Sequence, residues 1–347
     1  MRFYTSPLIQ LTKEGLFCEA GGFHIDPKRA VDTAIVTHAH SDHARRGSRR
    51  YLCAAPGVGL LRSRLGKKIE VQGIAYQEKF QLGKVQVSLH SAGHILGSAQ
   101  VRVEYAGEVW VASGDYKREA DPSCDPFEVV PCDTFITEAT FGAPKFRWEK
   151  HGKHGENLWD WWQKNRKAGR NSILFGYSLG KAQRILAELA PFADRPIIIH
   201  SSISELTECY RAEGWKLAAT LELSEALALK SEAGFQGEMI LAPPSILKEG
   251  FNSHFGAYHT AFASGWMQSY SPWGQGGYDH GFVMSDHADW NDLNETVLET
   301  GAKRVFVQHR NGALIRNLRK QGIDAHGDET LILENFDRLG GQEMSFF

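Results

Sequence analysis

The chain has 347 residues, more than the ~100–200 of a typical domain, so a two-lobed molecule is the expectation. With 42% hydrophobic and 23% charged residues it reads as an ordinary soluble globular protein, and a formal net charge of -2 leaves any hold on a polyanion to local basic patches. Five cysteines, Cys18, Cys53, Cys124, Cys132 and Cys209, are odd in number and include no C-x-x-C pair, which argues against a disulfide framework or a Cys-rich zinc knuckle.

In chain order, short apolar or alternating runs bounded by Gly, Pro and Asp predict strands at 34–37, 85–89, 101–104, 109–112 and 135–137. The middle changes character. Helical spacing marks 155–167, 181–190 and 203–214, and buried-type strands are expected at 172–175, 196–200 and 238–241. Such alternation implies a parallel α/β lobe. After a Gly-, Ser- and aromatic-rich stretch at 264–281, strands at 282–284 and 304–308 follow. The economical parse is a first domain over 1–148 and 283–347, interrupted by a second over 149–282. The start of the chain lacks the basic-then-apolar pattern of a signal peptide, and no apolar run approaches the ~20 residues of a membrane helix. A cytoplasmic protein with no membrane contact is expected.

The densest chemical signal follows the run at 34–37, where the chain reads His38-Ala39-His40-Ser41-Asp42-His43. Four metal-capable side chains in six residues fan in two directions, which suits two adjacent ions ~3.5–4 Å apart better than one tetrahedral ion. Further ligands stand at other strand ends: His94 in Ser-Ala-Gly-His-Ile-Leu-Gly-Ser, and Asp115 in Ser-Gly-Asp-Tyr, where a carboxylate can bridge two ions. Either alone reads as a polar turn residue; their joint occurrence gives them weight.

These residues resemble the metallo-β-lactamase fold, an αββα sandwich whose signature runs Asp, His-x-His-x-Asp-His, a lone His, then a bridging Asp. Asp26, in His-Ile-Asp-Pro, takes the first place, where the resemblance implies that it orients a ligand histidine. Glu138, in Thr-Glu-Ala-Thr-Phe-Gly, and His287, in Ser-Asp-His-Ala-Asp, match the acidic and histidine motifs that bracket an inserted α/β β-CASP domain in the nuclease branch. Residues 23–43, 91–98, 109–117, 135–141 and 174–187 look most like the bacterial ligase-associated DNA exonucleases. The resemblance implies His38, His40, His94 and Asp115 on one metal, and Asp42, His43, Asp115 and His309 on the other. Zn²⁺ suits the His-rich set and Mn²⁺ is compatible. His287 is then the general acid, held protonated by Glu138. His309 is followed by Arg310 and Asn311, whereas the family usually has Gly directly after this histidine.

For the polynucleotide, Lys181 at a helix start is expected to hold a backbone phosphate, although the surrounding Gly176-Tyr177-Ser178-Leu179-Gly180-Lys181-Ala182 is no Walker A loop. Ser202 and Ser245 follow other strands of the insert, and Arg45 and Arg46, with Arg49 and Arg50, lie close to the metal motif. A second basic cluster spans Lys164, Arg166, Lys167 and Arg170. Tyr270, Trp273 and Tyr278 are candidates for stacking on an unpaired base, while Trp159, Trp161 and Trp162 read as packing. The expected activity is a metal-dependent DNA exonuclease in repair, acting on single-stranded or end-containing DNA, with a DNA ligase and a helicase as partners by family analogy. An RNA-processing nuclease of the ribonuclease J or mRNA 3′-end type is the alternative. A lactam or thioester metallohydrolase would have no need of the insert, Glu138 or His287, and a non-catalytic scaffold would have no need of the ligands.

Overall fold

The computed structural model describes residues 7–150, 152–229, 234–249, 255–269, 277–309 and 312–332. Two compact units divide the chain. The first comprises Met1–Ala120, Asp125–Arg147 and His287–Phe347; the second, Asp121–Cys124 and Trp148–Asp286, interrupts it. Tyr270, Trp273, Arg310 and Asn311 lie outside the described residues.

The first unit is built on two sheets. A six-stranded sheet runs Gln10–Thr12, Gly15–Cys18, Phe23–Ile25, Thr33–Ile35, Arg50–Ala54, Val71–Ile74, antiparallel for its first two pairings and parallel thereafter. A seven-stranded sheet runs Asp324–Gly327, Arg304–Val307, Thr134–Thr137, Glu108–Ala112, Ala99–Tyr105, Val85–Ser91, Lys79–Leu82. Its first four strands are parallel and the rest antiparallel.

Strand alternation assigns the faces. Val85, Val87, Leu89, Trp110, Ala112 and Ile136 turn toward Phe23, Ile25, Ile35 and Leu52 of the other sheet, while Val111, Phe135, Val305 and Val307 turn the opposite way onto a helical layer. Leu293 and Val297 of the helix Trp290–Thr300, with Leu314 and Leu318 of Gly312–Lys320, form that layer. Asp289 caps the first of these helices by accepting from Asp292 N at 2.8 Å, and Gly301, with φ +67°, ends it in the left-handed turn that glycine adopts without strain.

The second unit holds one parallel six-stranded sheet, ordered Thr220–Glu222, Ile197–Ile199, Met239–Ala242, Asn171–Phe175, Tyr258–Ala263, His280–Phe282. Its central strands are apolar on both faces, as a sheet covered on both sides requires. Leu174 and Leu241 pack with the helices His154–Lys167, Lys181–Leu189 and Ser201–Ala212, and Ile173, Phe175 and Ile240 fill the other face. Trp162 is fully buried with its indole N–H donated to Gly237 O at 2.9 Å, so its polar atom costs nothing by being there. Among the described residues no helix is long and apolar enough to cross a membrane.

Candidate metal centre

The donors converge because the strands that carry them open on common edges. His38, His40, Asp42 and His43 follow Thr33–Ile35; His94 follows Val85–Ser91; Asp115 follows Glu108–Ala112; Glu138 follows Thr134–Thr137; His309 follows Arg304–Val307. Donor atoms of His38, His40, His94 and Asp115 all lie within 4.8 Å of one another. His40 Nδ1 stands 3.0 Å from His38 Nε2 and 3.1 Å from His94 Nε2, and Asp115 Oδ2 is 3.5 Å from His38 Nε2 and 3.8 Å from His94 Nε2. Bonds of ~2 Å to a tetrahedral ion put neighbouring donors a little over ~3 Å apart, so this set of three imidazoles and a carboxylate fits a divalent cation.

A second group adjoins the first. His43 Nε2 is 3.5 Å from Asp115 Oδ2 and 3.7 Å from Asp42 Oδ2. Asp42, His43 and His309 line one cavity of about 220 Å³, together with Asp26 and Thr37. Asp26 Oδ2 meets His43 Nδ1 at 2.7 Å, which leaves Nε2 as the outward-facing nitrogen.

Burial, reinforced by neighbouring His43, pushes His38 well below the usual imidazole range, with Asp115 pulling the other way. Burial also opposes a charged His43, but Asp26 and Asp115 outweigh it and hold that ring well above the usual range. At Asp115 burial works against the carboxylate, yet His43, His287 and His38 keep it well below the ordinary value. Asp115 is thus an ionised carboxylate and His38 a neutral imidazole, as metal ligation requires, whereas His43 is held protonated and must give up its Nε2 proton to bind a cation.

Beside it, Asp115, Glu138 and His287 form another close group. His287 Nδ1 is 3.0 Å from each oxygen of Glu138, which is 1% exposed. Glu138 is itself oriented by the backbone N–H of Tyr116 at 2.7 Å. The His287 ring lies 4.7 Å from that of His94, centroid to centroid, at the margin of the donor cluster.

The polynucleotide candidates divide. Lys181 is buried, 2% exposed, and its ammonium is committed to Asp286 Oδ1 at 2.6 Å and Met284 O at 2.5 Å, so the structure corrects the expectation of a phosphate-holding lysine. Ser202 and Ser245 are exposed and follow the adjacent parallel strands Ile197–Ile199 and Met239–Ala242. Ser202 Oγ meets Ser178 Oγ at 2.9 Å, beyond the next strand. Arg45 and Arg46 are exposed, Arg46 donating to Arg64 O at 3.1 Å, while Arg49 pairs with Asp32 at 2.5 Å. In the other basic cluster Arg166 pairs with Asp194 at 2.8 Å. Tyr278 is half-buried and contacts the rings of Phe175 and Phe262 at 5.4 and 5.3 Å. Sequence reasoning missed Tyr177 and Trp266, 51% and 48% exposed after strands of that sheet, and Thr37, whose contacts emerge only from strand register.

No protein-family model matches the chain. It is 28% identical over 315 residues to a protein named probable DNA ligase from Opitutus terrae, covering 90% of this chain and 30% of that protein. It is 29% identical over 118 residues to Endoribonuclease YSH1 of Eremothecium gossypii, covering 33% and 15%, and 25% identical over 213 residues to an RNase J-like protein of Methanocaldococcus jannaschii, covering 52% and 50%. The chain therefore spans at most half the length of these relatives. A crystal structure of a protein of unknown function from Enterococcus faecalis V583 superposes with a TM-score of 0.56 at 13% identity, over 81% of this chain and 77% of the other, a likeness of fold alone.

Two facing sheets with a His- and Asp-rich cluster at their strand ends define a metallo-β-lactamase-fold protein. Within that fold, the proteins the chain is similar to are nucleases of the β-CASP family.

Proposed function

We propose that the chain is a metal-dependent phosphodiesterase that removes nucleotides from DNA ends, with DNA repair as its setting. The observation that carries it is the Glu138–His287 pair beside the donor cluster, because phosphodiester cleavage needs a proton donor for the departing oxygen as well as an activated attacking group. His38, His40, His94 and Asp115 would hold one divalent ion, and Asp42, His43, Asp115 and His309 a second. Zn²⁺ is the best match to imidazole-rich donors, with Mn²⁺ compatible, and two such ions supply the Lewis acidity that activates water and offsets charge at phosphorus.

The remaining work falls to the chain's own side chains. Glu138 accepts the Nδ1 proton of His287, favours the imidazolium by a charge-assisted bond and leaves Nε2–H to protonate the leaving 3′ oxygen. Asp26 keeps His43 in one tautomer. Arg45 and Arg46 offer charge to the phosphate backbone, and Ser202, Ser245, Tyr177 and Trp266 offer hydroxyls and ring faces to an unpaired strand.

DNA is favoured over RNA because the relative that matches 90% of this chain is named for DNA ligation. A DNA ligase and a helicase are the proposed working partners. RNA processing is the second reading, favoured by the names of the other two relatives and by His309. End-labelled single- and double-stranded DNA and RNA, digested with Zn²⁺ or Mn²⁺, separate the two. Preferential shortening of DNA is expected; equal cleavage of matched RNA overturns the DNA preference, and lactam turnover without nuclease activity overturns the phosphodiesterase.

A further inference from the structure

Thr37, 1% exposed, stands directly before the first donor histidine. Its backbone N–H donates to Asp26 Oδ1 at 2.7 Å. Its hydroxyl Oγ1 lies 2.6 Å from Asp26 Oδ2 and 3.0 Å from His38 Nδ1. A hydroxyl has a single proton to give, and an ionised carboxylate only accepts. The proton of Oγ1 is therefore committed to Asp26. At His38 the oxygen must then accept, so the hydrogen of that contact belongs to Nδ1. A neutral imidazole carrying hydrogen on Nδ1 has its lone pair on Nε2, the atom that faces His40 and Asp115 in the cluster.

The same Asp26 Oδ2 takes His43 Nδ1 at 2.7 Å. We propose that Thr37 is a positioning residue that extends the reach of Asp26 from one donor histidine to two. Through the chain Asp26, Thr37, His38, one carboxylate sets tautomer and ring orientation on both sides of the centre. Two packing features fix the hydroxyl for this task. Parallel pairing of His24 with Ala34 and Ile25 with Ile35 brings Asp26 alongside Thr37, eleven residues away in sequence. Gly114 closes over the side chain: a Cβ there would stand 2.7 Å from Thr37 Cβ, so only glycine lets the Ser113-Gly114-Asp115 turn lie against Thr37.

The inference rests on the cluster being a metal centre, and the experiment keeps the two failures apart. Zn²⁺ affinity is measured by chelator competition for wild type, Thr37→Val and Thr37→Ser, alongside urea unfolding of each metal-free protein. Removing a group that orients a ligand costs about 10–100-fold in metal affinity. Thr37→Val is expected to lose that much and Thr37→Ser to recover most of it, beyond any change in metal-free stability. Tight binding by wild type with unchanged affinity in Thr37→Val overturns the role of Thr37, whereas no Zn²⁺ binding by wild type overturns the metal centre itself. Should Thr37→Val not fold, long-range ¹H–¹⁵N spectra of histidine-labelled wild type decide: hydrogen on His38 Nδ1 supports the relay and hydrogen on Nε2 overturns it.

Discussion

Replacing Lys181 by methionine keeps most of its unbranched stem and removes its charge, which separates a buried structural lysine from a phosphate ligand. Its ammonium is 2.6 Å from Asp286 Oδ1, and the two side chains are 2% and 8% exposed. Breaking a buried pair from one side costs about 3–5 kcal/mol, because the remaining charge keeps its desolvation penalty. Arg184 NH1 lies 3.7 Å from the same carboxylate oxygen and partly compensates it, which puts the expected loss near 3 kcal/mol. For a unit of this size that is a fall in melting temperature of about 9 °C. Urea unfolding followed by tryptophan fluorescence measures it, and Lys181→Met with Asp286→Asn should lose less than the two single losses summed, since neither member of the pair is left behind as a charge and Arg184 keeps Asp121 and Glu188. If Lys181 instead held a backbone phosphate, Lys181→Met would leave stability intact, weaken binding to all sequences alike and reduce the salt dependence by about one phosphate contact. That outcome would refute the burial argument.

His287→Asn removes the proton donor but none of the proposed ligands, so the rate should fall about 10²–10⁴-fold with metal content retained; metal lost together with activity would make His287 a ligand. Asp115→Ala removes the carboxylate shared by His38, His43 and His94, and metal content measured after dialysis should fall along with hydrolysis. Burial raises the thiol of Cys18 to about 11 and those of Cys53 and Cys132 to about 12. These thiols stay protonated at pH 8, so a thiolate-seeking reagent should label them more slowly than a model cysteine until the chain is unfolded; fast labelling of the native protein would contradict their burial.

The parts of the centre legible in sequence are those whose meaning is local. His38 to His43 declare themselves by spacing, and His94, Asp115 and Glu138 by standing just beyond strands whose apolar alternation is visible. Much of the six-stranded sheet was not legible, because Gln10–Thr12, Gly15–Cys18 and Phe23–Ile25 are three or four residues long and show no period. The helices Trp290–Thr300 and Gly312–Lys320 were passed over although each buries an apolar stripe. Lys181 was misread for a different reason: its partner lies 105 residues away, so nothing near it in the chain says that its charge is buried. Thr37 is silent in sequence because its role comes from the register of two parallel strands.

Backbone strain gives a last, independent mark of the centre. Among the described residues four non-glycine positions have positive φ: Asp26, Gln77, Ala106 and His309. Two of them, Asp26 at +46° and His309 at +64°, line the cavity that also holds Asp42 and His43. Left-handed backbone costs a side-chain-bearing residue about 1–2 kcal/mol, and such strain gathers where geometry serves a ligand rather than the fold. His309→Gly should relieve it. The expected result is a metal-free protein as stable as wild type or up to about 1 kcal/mol more so, with metal binding reduced from two equivalents toward one. Chelator titration and urea unfolding of the same preparation read both quantities. A variant that loses stability while keeping two equivalents of metal would show His309 to be a packing residue, and would leave Asp42, His43 and Asp115 to hold the second ion without it.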